Sequence, residues 1–270
     1  MLSLRLLAPS TAAALVVAVA AQAGAQDLAP HRAAYTVTMT ENGKPTGSSS
    51  GTYAYELKLT CDGYVSTQRL QLDLAGGRGS ATTEQQTQMT ESKDGKKLVF
   101  EHRSTTGGRR TSLMKGEATL GDDGSGEARF TEPEGQTVKL PAGTYFPAAI
   151  LRATIRAAKA GENGFEGLFF FGDKVKPPLA VNALIGKVPK RLSDVKIPEG
   201  AEELADGRAR IYYRAGFFDA DTKQQGEPVF EMSSVTLDNG IELYGTHEQS
   251  EGGIEYRITR LEALPKPTCK

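Results

Sequence analysis

The chain has 270 residues, a length that allows one large domain or two small ones, and 39% apolar residues supply a sizeable core. Its 32 lysines and arginines nearly balance 33 acidic residues, so the composition offers no electrostatic case for nucleic-acid binding. Only two cysteines are present, which excludes a disulfide-dense small protein and a zinc site built from cysteines alone.

The first 25 residues are typical of a secretory signal peptide. A positively charged start precedes an uncharged stretch from Leu6 to Gln26, and Ala23-Gly24-Ala25 fits the small-x-small cleavage rule. We predict a signal peptide over residues 1–25 with cleavage between Ala25 and Gln26; cleavage before Gly24 is the alternative. The apolar run is too short and too rich in alanine to favour a membrane anchor, and no later stretch is long enough to span a bilayer.

Alternation of apolar and polar residues recurs along the mature chain and predicts antiparallel strands with one buried face. The pattern is clear from Tyr35 to Thr40 and from Tyr53 to Leu59. We predict about 14 strands, about eight before a central helix and about six after it. The segment 80–92 has few apolar residues, and we expect it to form a strand at an exposed rim.

Apolar residues at helical spacing run from Pro147 to Ala160, with Pro147 suited to a first helical position and Gly161 to a terminating cap. This is the only helix that we predict. Antiparallel strands on both sides favour one mainly β domain over residues 26–270, in which a continuous curved sheet surrounds the helix. Two small β-domains joined near residues 174–178 are the alternative.

The two cysteines are Cys61, just after a predicted strand, and Cys269, the penultimate residue. In an oxidising compartment an even pair predicts a disulfide, which would fasten a proline-rich tail. A redox-active thiol is the alternative, but the sequence contains no Cys-x-x-Cys motif that would favour it.

Residue types that carry chemistry are sparse. His31, His102 and His247 lie in different predicted elements, and we expect hydrogen-bonded histidines in strands rather than catalytic ones. Residues 47–51 fit the Gly-x-Ser-x-Gly pattern around Ser49, but a strand is predicted where that motif needs a helix, so a polar loop is favoured. We therefore predict no catalytic residue, no metal site and no cofactor.

The most apolar patch is Leu168-Phe169-Phe170-Phe171. As a buried central strand it needs no functional explanation, and this interpretation is favoured. As the wall of an acyl-chain pocket, the three phenylalanines would bind a ligand.

Four segments, at residues 28–32, 60–64, 140–147 and 259–269, resemble in order the EipB (envelope integrity protein B) family of alphaproteobacterial periplasmic proteins, formerly a domain of unknown function. The resemblance implies a long antiparallel sheet wound into a spiral with a helix inside its curve, and a bridge between Cys61 and Cys269. It also implies a periplasmic role in maintaining the cell envelope, with no assigned enzymatic activity. The implied architecture is similar to that of periplasmic lipoprotein carriers, although fold does not fix function.

We therefore expect a periplasmic, non-enzymatic factor that maintains envelope integrity by binding a protein or lipidated partner. A carrier or sensor of lipids or lipoproteins is the alternative, and it would need an apolar cavity beside Phe169–Phe171. A hydrolase with an unrecognised triad is the third hypothesis, and Ser49 is the first serine to test for it.

Overall fold

The computed structural model of the protein describes residues 28–76, 79–220, 226–250 and 252–269. The predicted signal peptide and its cleavage position lie outside these residues. Within the described ranges, fifteen strands form one sheet, two α-helices are present, and a 3-10 turn spans Lys190–Leu192. The helices are α1 (Pro147–Lys159) and α2 (Glu202–Ala205), and the strands are β1 (His31–Glu41), β2 (Lys44–Leu59), β3 (Gly63–Gly76), β4 (Gly79–Ser92), β5 (Lys97–Thr106), β6 (Arg109–Leu120), β7 (Gly126–Glu132), β8 (Thr137–Leu140), β9 (Thr144–Tyr145), β10 (Gly164–Phe169), β11 (Leu179–Gly186), β12 (Arg210–Asp219), β13 (Phe230–Leu237), β14 (Glu242–Gln249) and β15 (Gly252–Ala263).

The sheet follows the chain closely. Its order is β8-β7-β6-β5-β4-β3-β2-β1-β15-β14-β13-β12-β11-β10-β9, and each pair is antiparallel except β9 with β10. Pairing of the first strand with the last joins both halves of the chain into one sheet, nearly closed into a barrel-like shape. The mainly β prediction is confirmed. The strand beyond the expected number, β9, has only two residues and is too short to show alternation.

The helix predicted over residues 147–160 is confirmed as α1. Its Ala148 and Ile155 pack against Leu57 and Tyr64 from one limb of the sheet, and against Ile211 from the other limb. Because the helix touches strands that lie far apart in the sheet order, the face that carries these residues is the concave one. Burial of this apolar contact on both limbs stabilises the curvature.

The expected rim position of the segment 80–92 is wrong. This segment is β4, which pairs with β3 on one side and β5 on the other, so it is not an edge strand. Most of its side chains are solvated, but Met89 and Glu91 near its end are buried beside α1. Its apolar residues are few because the helix and its core cover only one end of this long strand.

The position expected for the phenylalanine patch also needs correction. The strand β10 ends at Phe169, and its neighbour on one side is the two-residue β9 at the end of the sheet. The patch is therefore not in a central strand, and Phe170 and Phe171 follow the strand rather than continue it.

The segment between β11 and β12 covers part of the convex face. Leu192, Val195 and Ala205 pack in one apolar cluster with Val235 and Leu237 of β13, and each of the five is almost inaccessible to solvent. The second half of β13 is therefore buried on both faces, which explains why this strand lacks a clear alternation.

The predicted disulfide is confirmed: Cys61 and Cys269 are bonded, with their Cα atoms 5.5 Å apart and a sequence separation of 208. The bond ties the tail after β15 to the turn between β2 and β3. None of the helices in the described ranges is long and apolar enough to cross a membrane.

Candidate functional site

A polar groove on the convex face has a volume of about 520 Å³. It lies between the turn that joins β1 to β2 and the outward-facing side chains of β12–β15. Arg214 faces this groove because it alternates with Tyr213 and Ala215, which point into the concave side. The charged residues that line it are two arginines and four glutamates: Arg191, Arg214, Glu41, Glu231, Glu248 and Glu255.

Hydrogen bonds hold Arg214, Glu231 and Glu255 in place. Arg214 donates to Glu231 at 2.7 Å, and the Tyr244 hydroxyl donates to Glu255 at 3.0 Å. Beside the groove, Leu184 lies opposite Arg214 in the β11–β12 register and is 71% exposed. An ordered polar groove with an exposed apolar side chain at its border suits a macromolecular partner better than an acyl chain.

The three phenylalanines proposed as a binding wall do not share one environment. Phe170 is buried and contacts Phe100 edge to face, with ring centroids 5.9 Å apart, so it belongs to the core. Phe169 and Phe171 are half-buried, and their stacked rings are also 5.9 Å apart. The Phe169 ring also contacts the Phe217 ring, with centroids 5.6 Å apart. The three rings therefore form an aromatic row along the concave face. The three phenylalanines line neither the convex groove nor the small pocket between Tyr64 and Pro147.

The histidines lie in strands, as expected, and two of them are held firmly. His31 Nδ1 donates to the Ala29 carbonyl at 2.8 Å. His102 Nε2 donates to the Phe171 carbonyl at 2.9 Å, which leaves Nδ1 to accept from the Thr87 hydroxyl at 3.0 Å.

Burial lowers the pKa of His31, His102 and His247, which favours neutral rings at pH 7. Both ring nitrogens of His102 are engaged in this neutral state, so this histidine has no nitrogen free to act as a base. The Ser49 side chain lies outside the part that the structure describes, and the hydrolase hypothesis is not tested there.

Glu91 is a structural site that the sequence reasoning missed. Residue Phe146, which precedes α1, offers no side-chain cap, and the Glu91 carboxylate from β4 instead accepts the amide hydrogens of Ala148 and Ala149 at 2.7 Å each. Arg152, only 5% exposed, lies over the Tyr64 ring at 5.2 Å from its centroid. Burial raises the pKa of Glu91 to about 7, while the two amides and the Arg152 charge oppose that rise.

A second missed carboxylate, Glu242, lies on the concave face. The Tyr256 hydroxyl donates to its Oε2 at 3.1 Å, and the Tyr35 hydroxyl donates to its backbone carbonyl at 2.9 Å. Burial raises the pKa of Glu242 to about 7, against the opposing effect of hydrogen bonds from Ser234 and Tyr256. Burial, and then the nearby Glu242 charge, raise the pKa of five tyrosines: Tyr35, Tyr53, Tyr55, Tyr213 and Tyr256.

We predict that Glu242→Gln removes a pH-dependent loss of stability. A carboxyl whose pKa is raised in the folded state stabilises that state when protonated, and the contribution is lost as the pH rises from about 4.5 to about 7. The wild-type free energy of unfolding should fall relative to that of the glutamine variant by up to about 3 kcal/mol across this range. Urea unfolding at pH 5 and pH 8 measures the difference, with Glu231→Gln on the convex face as the matched control. A difference that is constant with pH would show that Glu242 titrates normally.

Comparisons with known proteins agree with this fold. The family model described as EipB-like matches residues 22–264. The chain is 24% identical over 252 residues to the cell envelope integrity protein EipB of Brucella abortus (strain 2308), a match that covers 90% of this chain and 87% of that protein. A crystal structure of a β-barrel-like protein of domain of unknown function DUF1849 from Brucella abortus superposes with a TM-score of 0.78, at 22% identity, over 89% of this chain and 100% of that one. The family model spans most of the chain, and this protein therefore belongs to the EipB-like family.

Proposed function

We propose that this protein is a periplasmic, non-enzymatic factor that maintains the integrity of the cell envelope by binding a protein or lipidated partner. The observation that carries the proposal is the match to the EipB-like family over residues 22–264, together with a relative named for cell envelope integrity. Fold alone does not identify the partner, so the contact surface has to be argued from the molecule.

An extracytoplasmic location is supported by the disulfide, because such bonds persist in oxidising compartments. The predicted signal peptide over residues 1–25 and the envelope role of the relative favour the periplasm in particular.

The convex groove is the contact surface that we propose for the partner. Its ordered ion pairs and hydrogen bonds offer donors and acceptors to a polar chain, and Leu184 at its border offers an apolar anchor. The carrier hypothesis is supported by a different feature, the half-buried Phe169 and Phe171 on the concave face.

A strain that lacks this protein is expected to be hypersensitive to detergents and to cell-wall antibiotics, yet to grow nearly normally otherwise. Plating on these agents, with rescue by the wild-type gene, measures the effect. Alanine variants of His31, His102 and His247, made singly, should still rescue, because none is assigned a catalytic role.

Two results would contradict the proposal. A deletion strain unaffected by every such stress removes the envelope role. Loss of rescue by a single histidine variant, with unchanged melting temperature and periplasmic level, would instead indicate an enzyme or a metal site.

A further inference from the structure

The convex groove combines open volume with paired charges, hydroxyl groups and an accessible aromatic side chain. We propose that it binds a neutral saccharide carried by the partner. This inference rests on the proposed function, because it takes the same groove as the contact surface and names the chemistry that enters it. The volume of about 520 Å³ lies within the range of small-ligand sites, so a sugar has room there.

Two hydroxyl groups form the floor of the groove. Arg214 of β12 lies opposite Ser233 of β13 in the register. Ser233 in turn lies opposite Thr246 of β14, which lies opposite Glu255 of β15. Residues directly opposite each other share one face of a sheet, so these four side chains form a row across the convex face. The hydroxyls of Ser233 and Thr246, 2.8 Å apart, lie in the middle of this row, between the longer side chains at its two ends.

The charges of the groove are largely paired already. Arg214 donates to Glu231 at 2.7 Å, and Arg257, beside the groove, donates to Glu255 at 2.8 Å. The lining and Arg257 together hold three arginines and four glutamates. A nearly balanced set of charges, two pairs of which are formed within the protein, favours a neutral ligand over a strongly charged one.

The polar lining includes both donors and acceptors. Arginine side chains only donate and carboxylates only accept, whereas hydroxyls and amides such as those of Asn42 and Gln249 do both. The Thr40 hydroxyl donates to Glu248 at 3.1 Å, and the missing side chain of Gly253 leaves space for that carboxylate. A ligand that pairs with such a mixed lining needs groups that donate and accept at once, and sugar hydroxyls have this property.

Tyr212 supplies an apolar surface at the end of the groove near β11. It lies on the same face as Arg214 and is half-buried, so part of its side chain is accessible. The residue opposite it in β11 is Gly186, which has no side chain to cover the ring. A pyranose ring has hydroxyls at its rim and C–H groups on its faces, and an aromatic ring shields such a face from water. The floor hydroxyls and the Tyr212 ring therefore match the two parts of a sugar.

Titration calorimetry on the oxidised, full-length mature protein tests the class of ligand. The probes are three neutral disaccharides: cellobiose, maltose and N,N′-diacetylchitobiose. At least one of them is expected to bind saturably, and about fivefold or more tightly than an uncharged serine–threonine tetrapeptide, which offers hydroxyls without a pyranose face. Cationic chitobiose is expected to bind more weakly than its neutral, acetylated form.

Variants then locate the site. Thr246→Val removes one floor hydroxyl at nearly constant shape and should weaken sugar binding about fivefold. Tyr212→Ala should weaken it about tenfold, and Tyr212→Phe, which restores the ring, should recover most of that loss. Thr67→Val, at an exposed position of the convex face outside the groove, should leave binding unchanged. Thermal melting confirms that each variant is folded.

Absence of saturable binding for all three disaccharides would overturn the proposal without recourse to any variant. Tighter binding of chitobiose than of its acetylated form, or of the tetrapeptide than of every sugar, would overturn the assignment to a neutral saccharide. Sugar binding that neither Thr246→Val nor Tyr212→Ala changes would place the sugar elsewhere and overturn the site.

These failures are distinct from failure of the envelope role. A deletion strain without an envelope defect removes that role and leaves sugar binding by the purified protein intact. A protein that binds no sugar but still rescues the deletion strain overturns this inference alone.

Discussion

Removing the Cys61–Cys269 disulfide is expected to lower the free energy of unfolding by up to about 5 kcal/mol, the figure that chain entropy gives for so long a loop. The bond closes a loop of 208 positions, and without it the unfolded chain gains the conformations that the cross-link excluded. Cys61→Ser and Cys269→Ser should each produce the same loss, measured by urea unfolding of the oxidised proteins.

Non-additivity is the sharper test of this account. Because either substitution removes the same constraint, the double variant should be no less stable than either single one. Reduction of the wild-type protein should give the same decrease. Additive losses, or two accessible thiols in the oxidised native protein, would contradict the bridge as the cause.

Glu91→Ala is expected to cost about 2–5 kcal/mol, because it leaves two amides at the start of α1 without their acceptor and so removes the cap from the helix. Two helix amides lose their acceptor, and no side chain of Phe146 can replace it. Denaturant unfolding measures the loss, and the far-ultraviolet helical signal should weaken as the first turn of α1 frays.

Glu84 on the same strand supplies the matched control. It forms an ion pair with Arg69 near the surface, and its replacement by alanine should change stability by no more than about 1 kcal/mol. Glu91→Gln, which keeps one acceptor oxygen, should fall between the two. Equal losses of stability in the alanine variants at Glu84 and Glu91 would show that the helix cap stabilises the protein no more than a surface ion pair does.

Most of the strands and α1 could be predicted because they have a local period that is visible within a dozen residues. Tyr53 to Leu59 alternates because one face packs on the helix, and α1 begins at a proline that suits a first helical position. The position of β4 could not be read in this way, because its polar character indicates solvent exposure and not which strands pair with it.

The sequence reasoning missed Glu91 and Glu242 for a related reason. Glu91 is separated by 57 and 58 positions from the helix amides that it caps. Glu242 receives side-chain hydrogen bonds from Ser234 of β13 and Tyr256 of β15, and the Tyr35 hydroxyl of the first strand reaches its carbonyl only through the long-range β1–β15 pairing. Neither residue stands out among 33 acidic side chains, since spacing along the sequence carries no signal for contacts that only the curvature creates.

Site-specific photo-cross-linking in living cells tests the proposed partner-binding role most directly. A photoreactive residue at Thr246, inside the convex groove, should capture one defined periplasmic protein or lipoprotein whose own deletion reproduces the detergent sensitivity. The same residue at Asn182, exposed on the convex face outside the groove, should capture nothing comparable. An absence of any specific adduct from Thr246, with acyl lipids captured instead from Phe171 on the concave face, would contradict the groove and establish the protein as a carrier.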